Sequence, residues 1–420
     1  MSLTPMHGLT AAFLVAIVAE AATRWWLAAR QIAAVRAHRD EVPALFRGSV
    51  DLRAQHKAAD YTVARVALGR WAVGVEVIIK LAFTLGGGLA ALEAGYRLID
   101  LREPWHGTLV VLSGFFLLLL LGQPFAIWRT FGLEARFGFN RVSPRLYALD
   151  FGKRLLLGVA IGGPLLLAIL VLMERGGPWW WIWAALLCSG ATLAVAWVAP
   201  RWVAPLFNKF SPLADAALAK SVQKLLERCG FAARGVFVMD GSRRSAHGNA
   251  YFTGLGRNKV VVLFDTLLTR IDSDEIEAVL AHELGHFRLR HVPQRLASSV
   301  ITTFSGFAFL NWVMRDPDVY QALGVAIPSA PMALLLFVVA MPPFTFFVTP
   351  LRAWWWRQQE WAADEYAVRH VEPGKLASAL IKLYRDNAST LTPDPLYSNF
   401  YDSHPPALAR IERLNARPQS

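Results

Sequence analysis

Cysteine is almost missing from this chain, with two residues in 420. Cys188 falls in a long apolar run and Cys229 in a polar segment, so no disulfide between them is expected. Two cysteines so placed also exclude a cysteine-based metal site. Charge is scarce as well. Charged residues make up 18% of the chain and hydrophobic residues 55%, whereas an ordinary soluble domain carries about 25% charged residues. Acidic groups are the scarcer sign, 31 against 43 Lys and Arg, for a net charge of +12. Internal repeats and low-complexity tracts are lacking, and the length alone permits two or three domains.

What the chain has in excess is apolar runs long enough to cross a bilayer, which takes about 20 helical residues. Seven stand out, roughly 8–28, 72–96, 107–128, 155–173, 179–199, 297–314 and 326–350. The run 155–173 is short, and 297–314 is rich in Ser and Thr. The first is not expected to be a cleaved signal. No basic stretch precedes it, it carries Glu20 and Arg24, and it continues into Trp25, Trp26 and a basic segment.

Topology accounts for the positive charge. Arg30, Arg36, Arg39, Arg47, Arg53, Lys57, Arg65 and Arg70 lie between the first two runs, and Arg129, Arg136, Arg141, Arg145, Lys153 and Arg154 between the third and fourth. The alternate connections hold few, namely Arg97, Arg102, Arg175 and Arg315. The positive-inside bias then puts the N-terminus outside and the first connection in the cytoplasm. With seven spans, 200–296 and the C-terminal tail are also cytoplasmic. Nucleic-acid binding is the poorer account of this charge, because the basic residues are spread over juxtamembrane loops without a stripe or a recognisable motif.

The expected organisation is five membrane spans in 1–199, a polar α+β unit in 200–296, two further spans in 297–350 and a polar tail in 351–420. The polar segment 29–70 reads as a mostly helical arm. In the α+β unit, Leu218, Val222, Leu225 and Leu226 mark a helix that Gly230 ends. Strands are expected at 235–239 and 259–264. Ser273 is a good N-cap for a helix with Glu275 and Glu277 in its first turns. Within the spans, Glu20 and Arg24, and Glu76 and Lys80, are two acid-before-base pairs four residues apart. Charges at such depth face a bundle interior or a cavity, so each pair either neutralises itself between helices or lines a chamber.

The helix after Ser273 carries His282-Glu283-Leu284-Gly285-His286, an H-E-x-x-H motif. Residues four apart project from one helix face, so both imidazoles can reach one Zn²⁺ while Glu283 serves as general base. A chain of this composition would carry about 0.02 such motifs by accident. A catalytic zinc takes three protein ligands and keeps one position open. Glu360 is a candidate for the third, just after the last span, with Asp364 and Glu365 as alternatives on spacing alone. Asp364 could instead accept the second ring proton of a liganding histidine and fix its tautomer.

The chain resembles the type I CAAX prenyl proteases, the multi-span zinc metalloproteases that trim prenylated proteins. The resemblance is carried in family order by 134–141 (EARFGFNR), 204–213 (APLFNKFSPL), 244–252, 261–268, 278–291, 360–367 and 404–410 (HPPALAR). It implies one zinc ion per chain on His282, His286 and Glu360, with Glu283 as base. Asn249 and Ala250 would lie on an edge strand that pairs with the extended substrate. His404 and Arg410 would stabilise the oxyanion. The implied fold is mainly α: a seven-span membrane barrel around a water-filled chamber, with a cytoplasmic α+β zinc-peptidase domain. The implied partners are a peptide or protein substrate, prenylated at its C-terminus in eukaryotes, and membrane lipids. The Ala-, Arg- and Trp-rich composition suggests a bacterial inner-membrane chain, whereas a eukaryotic one would sit in the endoplasmic reticulum. A bacterial relative could act in membrane-protein quality control instead. Site-two-type proteases hold their motif inside a span, whereas Arg288, Arg290 and His291 follow at once here. The shorter heat-shock membrane proteases lack the long N-terminal half. A transporter or scaffold with a dead peptidase site is the rival of another class.

Overall fold

A computed structural model describes residues 5–231, 235–253 and 260–416. Two long helices open the chain, α1 (Pro5–Ala37) and α2 (Leu52–Phe83), packed along each other. Both outrun the bilayer: the 29–70 arm is their polar ends and the short turn joining them. Asp51 caps α2 by accepting from the Ala54 amide at 2.8 Å. Then follow α3 (Gly88–Arg97), α4 (Trp105–Ile127), α5 (Pro144–Arg175) and α6 (Trp180–Val198). Helix α5 begins where Ser143 accepts from the Leu146 amide and Pro144 fits the first helical position.

Five helices are long and apolar enough to cross a membrane, and the count reaches seven if two bent pairs are each one span. The first bend, 50°, separates α2 from α3 and falls inside the apolar run 72–96. Gly87, at φ 75°, makes that turn without the steric cost a side chain would bring. Within the five straight spans, only 6 to 33% of the most apolar window is buried. These helices therefore do not pack into a solid bundle, and their apolar faces are left for lipid.

The acid–base pairs in the first two spans are cross-linked rather than separate. Arg24 lies 3.0 Å from Glu20 and 2.7 Å from Glu76, and Lys80 lies 2.8 Å from Glu20 and 3.0 Å from Glu76. The result is one neutral quartet that ties α1 to α2.

The polar unit is a four-stranded sheet flanked by helices. Its strands are β1 (Phe210–Pro212), β2 (Val236–Met239), β3 (Ala250–Thr253) and β4 (Val260–Phe264), in the order β1-β2-β4-β3. Of the expected strand at 259–264, residue 259 lies outside the described residues. Strands β2 and β4 run parallel, and β3 lies antiparallel to β4 with Ala250 opposite Leu263. Strand β3 thus holds an edge of the sheet.

Helix α7 (Ala216–Arg228) packs beneath the sheet with α8 (Ser273–Arg288). The N-cap of α8 is Asp272, one residue earlier than the sequence suggests. Asp272 and Glu275 form a reciprocal capping box, with the Asp272 amide donating to Glu275 at 2.8 Å. Glu275 at the third position decides the register, because only a cap at 272 lets both partners close. Leu225, Leu263, Leu280, Leu284 and Ile411 form the shared core.

Beyond α8 come α9 (His291–Val313), α10 (Ala330–Ala340) and α11 (Thr349–Ala367). A 40° bend separates α10 from the segment 342–367 that contains α11, so α11 prolongs the last span into the polar unit. Helices α12 (Pro373–Asp386), α13 (Pro395–Tyr401) and α14 (Ala407–Asn415) close the chain.

Helices α8 and α11 cross where Gly285 meets Ala363. A Cβ on Gly285 would come within 3.0 Å of the Ala363 Cα and 3.1 Å of its carbonyl oxygen. Both atoms are backbone, so a larger residue must push the helices apart. Gly285→Val is expected to destabilise the protein by about 1–3 kcal/mol through overpacking and to lower its metal content. Thermal melts and metal analysis of the purified variant check this.

Candidate metal centre

Helix α8 brings His282 and His286 to one face, with Nε2 atoms 3.3 Å apart. Helix α11, crossing at Gly285, brings Glu360 against the same two nitrogens. Its Oε2 lies 3.4 Å from His282 Nε2 and its Oε1 3.3 Å from His286 Nε2. One ligand atom from each residue lies within 4.8 Å of the others. Two imidazole nitrogens and one carboxylate oxygen converging on one point make the donor set of an open catalytic metal site.

Charge balance tests whether a cation belongs here. Glu360 and Asp364 are both buried, one helical turn apart. Asp364 is neutralised by Arg410, whose Nε and Nη2 each donate to it at 2.6 Å. Glu360 lies 3.9 Å from Arg410 and is otherwise faced by histidines. One buried negative charge therefore needs a proton on a histidine or a metal ion. Burial disfavours charge on His282, but the Asp364 and Glu360 carboxylates override it and raise this imidazole to about 9. A divalent cation fits the set, since it would replace that proton.

The alternatives for the third ligand separate cleanly. Asp364 sits behind His282, accepting from its Nδ1 at 2.8 Å, which turns Nε2 towards Glu360 and His286. Glu365 lies elsewhere on the helix, 2.9 Å from Arg369 and 3.8 Å from Arg413. Arg410, expected to face the oxyanion, is buried behind His282 and clamps Asp364. His404 lies at the rim with its side chain 61% exposed and its Nδ1 2.7 Å from Glu360 Oε2. The Glu283 side chain is half-buried and makes no hydrogen bond or ion pair among the described residues.

Asn249 is exposed at the start of β3, its carbonyl accepting from the Phe264 amide at 3.0 Å and its side chain from the Ala250 amide at 2.9 Å. Ala250 is buried and paired with Leu263. Strand β3 packs against α8, the helix that carries the two histidines.

One residue here escapes a reading for ligands. His291 is buried, and its Nδ1 lies 2.9 Å from Nδ1 of His286. With Nε2 of His286 turned to the metal position, its Nδ1 carries the proton and donates to His291, just as His282 donates to Asp364. Each histidine therefore has its tautomer fixed from behind. His291 reaches this place because Arg290 adopts φ 59°, folding the start of α9 back on the end of α8. A third histidine five residues after the motif is the only sequence signal.

Two family models divide the chain between them. "CAAX prenyl protease N-terminal, five membrane helices" matches residues 31–209, and "Peptidase family M48" matches 212–418. "CAAX prenyl protease 1" of Saccharomyces cerevisiae is 36% identical over 313 residues, 70% of this chain and 69% of that protein. "CAAX prenyl protease 1 homolog" of Arabidopsis thaliana is 35% identical over 295 residues, 70% of this chain and 69% of that protein. The crystal structure of S. mikatae Ste24p is similar over 99% of this chain and 100% of its own, with a TM-score of 0.89 and 29% identity.

Removing the carboxylate behind His282 gives a direct test of the ligand arrangement. Asp364→Asn is expected to weaken metal binding about 10- to 100-fold, read as metal lost to a competing chelator, while the helical content stays unchanged.

Proposed function

The chain belongs to peptidase family M48, as a multi-pass membrane metallopeptidase of the CAAX prenyl protease group, and on that premise we propose that it cleaves prenylated C-terminal peptides with one zinc ion. The convergence of His282, His286 and Glu360 on two crossing helices, one of them the prolongation of a membrane span, carries this reading.

Zinc held by these three residues would polarise the scissile carbonyl and acidify a water molecule. The remaining work falls to the chain. Glu283, whose carboxylate has no partner among the described residues, takes the proton from the attacking water and returns it to the leaving amine. An extended substrate adds to the free edge of β3 at Asn249 and Ala250, which lays its backbone along α8. His404 lies at the rim beside Glu360, where an N–H of its ring donates to the carbonyl oxygen as charge develops there. Arg410 acts from behind: it holds Asp364, Asp364 holds His282, and its positive charge favours the oxyanion at a distance.

The active site faces the cytoplasm in this reading, of a bacterial inner membrane if the composition is a guide. The basic segment that joins α1 to α2 and the connection between α4 and α5 meet the peptidase unit directly, which supports that orientation. Arg30 lies 2.9 Å from Asp394, and Arg244 makes a two-pronged contact with Asp150 at 2.9 and 3.1 Å.

A farnesylated CAAX peptide and its unprenylated twin, each offered to wild type and Glu283→Ala, test the function. Wild type is expected to cleave and to prefer the lipidated peptide, and Glu283→Ala to cleave neither. Equal cleavage of both by wild type would remove prenyl specificity and favour membrane-protein quality control. No cleavage despite bound zinc would leave a scaffold. His404→Ala is expected to lower kcat about 10²–10³-fold with zinc retained, and full activity in that variant would take His404 out of the mechanism.

A further inference from the structure

A groove of about 900 Å³ lies between α4 and α5, and no residue of β3, α8, α11 or α14 lines it. Its long limb is apolar, running past Leu112, Phe116 and Leu119 on one helix and Leu155 and Val159 on the other. Gly158 borders open space in this limb, since a Cβ built there would meet nothing within 4 Å. The other end is polar and carries Arg129, Thr130 and Arg154 beside Tyr147, whose hydroxyl donates to Gln123 at 3.0 Å.

Among the described residues, the two guanidiniums at that end have little counter-charge. Arg154 is exposed and has no acidic partner among the described residues. Asp150, one turn earlier on α5, is committed to Arg244. Arg129 has, among the described residues, only Glu134 as an acidic partner, at 3.8 Å, and its side chain is 63% exposed. Lys153 is already engaged, donating to the Leu206 carbonyl at 2.7 Å.

We propose that this groove binds an anionic phospholipid, with an acyl chain in the apolar limb and the phosphate between Arg129 and Arg154. Guanidinium groups pair with phosphate oxygens through two parallel hydrogen bonds. Basic pockets between membrane helices on the cytoplasmic side select anionic head groups. A zwitterionic lipid brings its own cation to the same rim and gains less. The dimensions agree. From Leu112 to Arg129 the helix rises about 25 Å, which spans most of a hydrocarbon core about 30 Å thick. The volume lies within the roughly 300–1,000 Å³ of small-molecule sites.

The full-length protein, purified from membranes with equal amounts of phosphatidylglycerol and phosphatidylcholine, can be analysed by native mass spectrometry for retained lipid, with bound zinc as the folding control. Wild type is expected to retain phosphatidylglycerol preferentially. Arg129→Gln or Arg154→Gln should each lower that preference about fivefold, and both together about thirtyfold. Gly158→Phe, which fills the limb, should lose retention of either lipid. Equal retention of the two lipids by wild type, or an undiminished preference in the double variant, overturns the proposal. So does a rise in KM in Gly158→Phe for a farnesylated peptide but not for its unprenylated twin, which would assign the groove to the substrate.

Discussion

Two carboxylates buried a turn apart on one helix repel each other unless something positive stands against each. Glu360 and Asp364 impose that constraint, and much of the chain is arranged to meet it. Asp364 is answered by Arg410, and the Asp364 contact aligns His282. Glu360 is left to the metal position. Residues 282, 364 and 410 are thereby drawn together from three helices by a single line of charge-assisted hydrogen bonds. Behind His286 the problem is solved without charge, since His291 needs only to accept a proton that His286 already holds. One histidine is held against a carboxylate and the other against an imidazole.

The same economy governs the join between membrane and peptidase unit. A bent helical segment carries Glu360 out of the last span, and the loop leading to β3 is held from the membrane side. Asp150 at the head of α5 grips Arg244, and Asn140 bridges Ser245. Glu134, at the end of a π-helical turn after α4, accepts from Tyr61 at 2.8 Å and lies 3.8 Å from His247. Both Glu360 and strand β3 are thus positioned by membrane helices. Deeper in the bilayer, the Glu20–Arg24–Glu76–Lys80 quartet joins α1 to α2 with no net charge to desolvate.

Much of this was legible in the sequence, and the exceptions share a cause. Membrane runs announce themselves by composition, and the H-E-x-x-H motif by spacing within one helix, because both are local properties. The cap of α8 was misplaced by one residue because Asp272 and Ser273 are both good caps and Glu275 arbitrates between them. Glu360, Asp364 and Glu365 could not be ranked by spacing, since their fates depend on where α11 crosses α8. The burial of Arg410 and the return of His291 are contacts between elements, set by Asp364 and by the backbone at Arg290. The family resemblance pointed to the residues but not to the division of labour between Arg410 and His404, one locked behind the ligands and the other exposed at the rim.

Because α11 is the prolongation of a membrane span, it acts as a ruler laid from the bilayer to the catalytic centre. Inserting one residue between Thr349 and Glu360 would turn the carboxylate by about 100° and advance it by about 1.5 Å, taking it off the face that meets His282 and His286. Surface loops elsewhere can lengthen or shrink with little cost. Over this stretch a side chain can be exchanged at modest cost, but a change of length displaces Glu360 from the two histidines.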